Sequence, residues 1–214
     1  MAEHYNAASI QALDKRVRTN FINSLSGFKS ANLIATKSTL GIENIAMISS
    51  AFHVGAHPPL LGMLMRPHTV PRHTLQNIKD SGYFTLNHVH EGMLEQAHQC
   101  SANYAAEQSE FEACGLTAQY TEGFVAPYIK QSRIKLGLEL REIQVLNINL
   151  TELVIAEIVE VITDKPYQSS DGYLDIESAG SISVSGLDSY HKSERIDRFS
   201  YAKPDAKLHS IWKK

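Results

Sequence analysis

The stretch from Arg133 to Glu142, RIKLGLELRE, alternates strictly, with Ile134, Leu136, Leu138 and Leu140 on one side and charges or Gly137 on the other. Successive side chains of an extended backbone point to opposite faces, so this period of two specifies a half-buried strand rather than a helix. Two β-branched runs follow, Val145 to Leu150 and Leu153 to Ile162, and Asn149-Leu150-Thr151-Glu152 between them suits antiparallel pairing. Upstream, SANLIATK begins at Ser30 and leads to a turn at Leu40-Gly41. The apolar runs Ile45 to Ser50 and Leu60 to Met65 and the segment Tyr83 to His88 supply further strands. A sheet of six or more strands is implied.

Helical signals are short. Ile10, Leu13 and Val17 give Ser9 to Arg18 one apolar face, and Leu75 and Ile78 do the same for Thr74 to Asp80, which Gly82 closes. Met93, Leu94, Ala97 and Tyr104 mark a helical insertion, and Ser109 with Glu112 spells a capping box for a helix ended by Gly115. Many short strands with few helices between them argue for a mainly β fold, a barrel rather than a parallel sheet covered by helices.

With 214 residues and no repeat, low-complexity tract or linker, residues 1–214 read as a single domain. The segment after Lys165-Pro166 is too aromatic and patterned to be disordered. A formal charge of -3 argues against a nucleic-acid partner. The first residues lack the apolar core of a signal peptide and no run is long enough to span a bilayer, so no membrane association and a cytoplasmic location are expected. Cys100 and Cys114 have neither metal-ligand spacing nor a disulfide framework and are read as reduced thiols. His53 with His57, and His88 with His90, could share faces, but no carboxylate or cysteine completes a set, and no metal is expected.

The chemistry-bearing residues concentrate between Asn44 and Asn87. Ser49 and Ser50 end one apolar run, a loop with Gly55 and Pro58-Pro59 follows, and Arg66 ends the next run. Pro67 and Pro71 bracket a turn, after which Arg72, His73 and Thr74 open a helix. A helix N-terminus has free N–H groups and a favourable dipole for an anion, so Arg66, Arg72 and Thr74 suit one small anionic ligand. Plainer roles stand beside these. The serines can satisfy local backbone groups, Thr74 can be an N-cap, and His57 can be loop surface.

Several segments in order, NIAMISSAF, HVGAHPPLLG, RHTLQNIKDSGYFTLN, APYIKQSRIKLGLEL and LVIAEIVEV, resemble the flavin-reductase-like family, whose members fold as an FMN-binding split β-barrel. The tail GLDSYHKSERIDRFSYAKP is similar to that of a subgroup. The resemblance implies a core over about residues 21–162, with a C-terminal extension, 163–214, packing on the barrel or on a dimer partner. It implies a homodimer with FMN near the interface. Carried over to this chain, Ser49 and Ser50 line the flavin, Arg66, Arg72 and Thr74 hold its phosphate, and Asn87 ends a strand beside it. His57 is not part of that carry-over; beside its loop-surface role, its imidazole can serve as a polar group near the flavin that donates a hydrogen bond or a proton. The implied activity is an FMN-dependent oxidoreductase with NADH or NADPH as donor and a free flavin or a redox partner as acceptor. The alternative is a non-enzymatic FMN carrier or electron relay. Two segments depart from the pattern of many members. Gly55-Ala56-His57 replaces a hydroxyl-rich stretch with an aspartate, and Ser185-Gly186-Leu187-Asp188 replaces a GG-containing segment.

Overall fold

The computed structural model describes residues 2–67 and 73–212. Its strands are β1 (Lys29–Ser30), β2 (Asn32–Lys37), β3 (Glu43–Ile48), β4 (Phe52–Ala56), β5 (Pro59–Met65), β6 (Tyr83–His88), β7 (Ala118–Gln119), β8 (Tyr128–Ile129), β9 (Ile134–Leu146), β10 (Thr151–Thr163), β11 (Ile182–Ser185) and β12 (Ser189–Lys192). The α-helices are α1 (Ala7–Ala12), α2 (Lys15–Ser24), α3 (His73–Ser81), α4 (Leu94–Gln99) and α5 (Glu110–Ala113). Seven strands form one antiparallel sheet in the order β3-β2-β6-β9-β10-β5-β4. A small sheet, β1-β11-β12, and the ribbon β7-β8 lie beside it.

Both faces of the sheet's middle strands are covered, which is why β2 is buried from Asn32 to Thr36 instead of alternating. Leu33 and Ala35 join Ile45, Met93, Ala97, Phe111, Leu116 and Val184 in one core, under the helical insertion and the small sheet. Ile34 faces the other way, with Met63, Met65, Leu75, Ile78, Phe84, Leu86, Leu138 and Val154. This second core draws on strands from both ends of the sheet and on α3, so the sheet is curled around it. The curl is closed by Ser50, just beyond β3, whose hydroxyl donates to the Leu64 carbonyl at 2.9 Å and accepts from the Leu64 N–H at 3.2 Å.

Three expectations are corrected. The strand beginning at Ile134 is not half-buried in its first half, because Lys135 is only 2% exposed. The ribbon covers that face, where Lys135 donates to Gln119 Oε1 at 2.9 Å and lies 3.5 Å from Asp164. Val145 to Leu150 is not a separate strand. Pairing continues through Leu146, opposite Thr151, and the chain reverses at Leu150, whose φ is 60°. Ser9 to Arg18 is not one helix, because Leu13 is extended and Asp14 caps α2 by accepting from the N–H groups of Arg16 and Val17.

Ion pairs and a ring contact hold the C-terminal extension together internally. Arg195 pairs with Asp175 and with Glu177, at 3.4 Å from the latter, and Arg198 lies 4.0 Å over the Tyr173 ring and 2.7 Å from Asp171. No helix among the described residues is long and apolar enough to cross a membrane.

Candidate functional site

Serine 50 does more than close the barrel. By binding Leu64 it brings the end of β3 to within two residues of Arg66, so the hydroxyls and the guanidinium singled out in the sequence share one end of the sheet. The hydroxyl of Ser49 makes no hydrogen bond among the described residues. Arg66 is exposed and donates one hydrogen bond, to Asn23 Oδ1 in α2 at 2.9 Å. No carboxylate among the described residues pairs with it. Asn32 lies at the same end, with its Cα opposite Ile48 in the ladder. Its amide nitrogen donates to Ser30 Oγ at 2.8 Å, and its Oδ1 is buried with no hydrogen-bond partner. Sequence reading missed Asn32, since one asparagine opening a strand carries no signal of its own.

A second cluster lies at the start of α3. Thr74 is the second residue of the helix, 5% exposed, and its hydroxyl donates to Asn44 Oδ1 at 2.7 Å. That proton is therefore committed, and an anion at this end would meet backbone N–H groups rather than the Thr74 hydroxyl. Thr36 also donates to Asn44 Oδ1, at 3.4 Å, and accepts from Asn77 Nδ2 at 3.0 Å. The amide nitrogen of Asn44 lies 2.9 Å from both carboxylate oxygens of Glu110, and Glu110 Oε2 accepts from the Ile45 N–H at 3.0 Å. Glu110 was not singled out by sequence, where the capping pattern draws attention to Ser109 and Glu112. Ser109 does cap α5, accepting from the Phe111 N–H at 3.3 Å.

Asn87 is fully buried and its amide is in use within the protein. It donates to the Leu33 carbonyl at 3.2 Å and to Thr85 Oγ1 at 2.8 Å, and it accepts from the Ile129 N–H at 3.0 Å. His57 is exposed at the turn from β4 to β5. Arg72 lies outside the described residues. His88 shares the Asn32 end of the sheet, opposite it in the β2–β6 ladder, and its Nδ1 is 2.9 Å from Ser181 Oγ. Burial lowers the His88 imidazole to about 4, so the ring is neutral at neutral pH. Cys100 and Cys114 are buried free thiols, and burial pushes Cys100 well above the ordinary thiol range, away from nucleophilic chemistry. Among the described residues no group of three or more His, Cys, Asp or Glu could hold a metal ion.

An antiparallel sheet curled until the end of β3 meets β5, with hydroxyls, an amide and the Arg66 guanidinium at that end, makes a split β-barrel. The flavin reductase like domain matches residues 26–200, and the chain belongs to that family. A crystal structure from Shewanella frigidimarina NCIMB 400, assigned as a flavin reductase with split barrel domain, is 48% identical. It superposes with a TM-score of 0.91 over 94% of this chain and 100% of that one. An FMN-binding protein from Thermus thermophilus shares the fold, at 15% identity and a TM-score of 0.63 over 77% of this chain and 86% of that one. An uncharacterized protein of Halalkalibacterium halodurans is 31% identical over 112 residues, 51% of this chain and 54% of that protein. The chain spans about half the length of the curated relatives it matches.

Proposed function

We propose that the chain is an FMN-dependent oxidoreductase that works as a cytoplasmic homodimer. In this reading NADH or NADPH is the donor, and a free flavin or a redox partner protein is the acceptor. The observation that carries the proposal is the Arg66 guanidinium, which pairs with no carboxylate among the described residues and lies two residues beyond Leu64, the partner of Ser50. A guanidinium without a carboxylate suits a phosphate ester, which it can meet with two parallel N–H bonds. The first-turn N–H groups of α3 suit the same anion, with Thr74 contributing through its backbone and Arg72 assigned by resemblance.

The remaining groups fit a flavin ring. Ser49 offers an uncommitted hydroxyl, and Asn32 Oδ1 is an acceptor for a ring N–H. Leaving such an acceptor buried and unpaired costs about 1–3 kcal/mol, which a donor would offset. In this reading Asn87 supports the site from behind by fixing β6 to Leu33 and Ile129, and His57, at the β4–β5 turn, is kept as a polar group near the flavin. When bound, FMN supplies the redox chemistry, while the chain's residues hold it, orient it and limit its exposure to water.

Support for the dimer comes from the outer face of the β4–β5 pair. Phe52, Val54 and Leu64 are 43%, 42% and 39% exposed there, and the Phe52 and Val54 side chains lie over Gly62. In the proposal a second copy covers this face. The second reading, a carrier that holds FMN without turnover, is favoured by Gly55-Ala56-His57 at the β4–β5 turn, which lacks the hydroxyls and aspartate of many relatives.

An anaerobic visible spectrum of FMN-loaded protein, freed of excess flavin, tests both. Retained bands that bleach on adding NADH or NADPH support the reductase, and bands that persist support the carrier. No retained flavin contradicts both.

A further inference from the structure

Glu110 is a carboxylate with 5% exposure, and no cation among the described residues pairs with it. Burying a charge away from water costs several kcal/mol, whereas a glutamine of the same shape would carry no charge. What distinguishes the carboxylate is that it accepts hydrogen bonds and cannot donate them. Asn44 must therefore turn its NH2 toward Glu110, which leaves Asn44 Oδ1 pointing at Thr74 and Thr36 as an acceptor. Both threonines must then donate. Thr36, its proton committed, can accept from Asn77 Nδ2. Thr74 and Asn77 are three residues apart in α3, so one buried acceptor fixes how the first turns of that helix sit on β2 and β3.

We infer that Glu110 is a positioning residue for the anion-binding end of α3, acting through Asn44 and Thr74 without touching the ligand. The inference rests on the proposal that α3 receives the FMN phosphate. A glutamine at position 110 has no arrangement that satisfies every donor. With Asn44 unchanged, two NH2 groups face one another. With Asn44 turned over, the fully buried Thr36 hydroxyl loses its acceptor. Either way the first turn of α3 loosens, and only ligands that use it are affected.

The test compares FMN with riboflavin, which lacks the phosphate, by quenching of flavin fluorescence in parent and Glu110→Gln protein. The parent is expected to prefer FMN. Glu110→Gln is expected to weaken FMN by roughly tenfold and leave riboflavin unchanged. Should Glu110→Gln fail to fold, Thr74→Val and Thr74→Ser give the same reading. The valine is expected to lose FMN selectively, and the serine, which keeps the hydroxyl, to match the parent. A parent that prefers FMN beside a variant that keeps the full preference, or loses both ligands equally, overturns the role of Glu110. A parent that binds FMN and riboflavin equally removes the phosphate from α3 and overturns the inference together with the reading beneath it.

Discussion

The side chain of Ser50 pairs with both backbone groups of Leu64, donating to the carbonyl oxygen and accepting from the N–H, and so takes the place of a neighbouring strand. This joins the end of β3 to β5 across the gap left by the sheet's curl. In Ser50→Ala both bonds are lost while the backbone groups of Leu64 keep access to water. The expected destabilisation is about 1–2 kcal/mol, read as a lower urea midpoint at unchanged m-value. An unchanged midpoint would show that the barrel closes without this contact.

The neutral His88 imidazole makes stability depend on pH. Its native value of about 4 lies below the ordinary 6.5, so in mild acid the unfolded chain binds a proton that the native chain does not. Stability is undiminished above about pH 6.5, falls as pH drops toward 4, and by then has lost about 3 kcal/mol on this account. Comparing urea midpoints of parent and His88→Gln from pH 7 to 4 isolates this contribution from the carboxylates. The two curves should converge in acid, and parallel curves would rule the effect out.

A charge on the outer face of β4 should separate the proposed dimer. Phe52→Asp places a carboxylate where an exposed ring now lies over Gly62. Aromatic anchors of this kind contribute about 2 kcal/mol or more, so sedimentation equilibrium should show monomer at concentrations where the parent is dimeric. A variant as dimeric as the parent would place the interface elsewhere.

How much of this was legible in the sequence depends on the range of the contacts. The alternation from Ile134 to Leu140 announced a strand because that signal is local. The burial of Lys135 did not show, because its cover, Gln119, comes from another element. Ser49, Ser50 and Arg66 were singled out as strand-end groups, and the structure adds that Ser50 reaches across to Leu64, fourteen residues on. The bond from Asn44 to Glu110 spans 66 residues, and no spacing rule connects them. Thr74 shows the limit from the other side. Its place near the start of α3 was readable, but the direction of its hydroxyl proton follows from a carboxylate in a distant helix.

In the proposed site Arg66 is the side-chain cation that meets the phosphate. The most direct test of this role is the FMN dissociation constant of Arg66→Ala against the parent, with riboflavin as control. Loss of a charge-assisted contact predicts FMN binding weaker by about 1.5–3 kcal/mol, roughly ten- to a hundredfold, with riboflavin little changed. Equal FMN dissociation constants for the two proteins would contradict the assignment of the site.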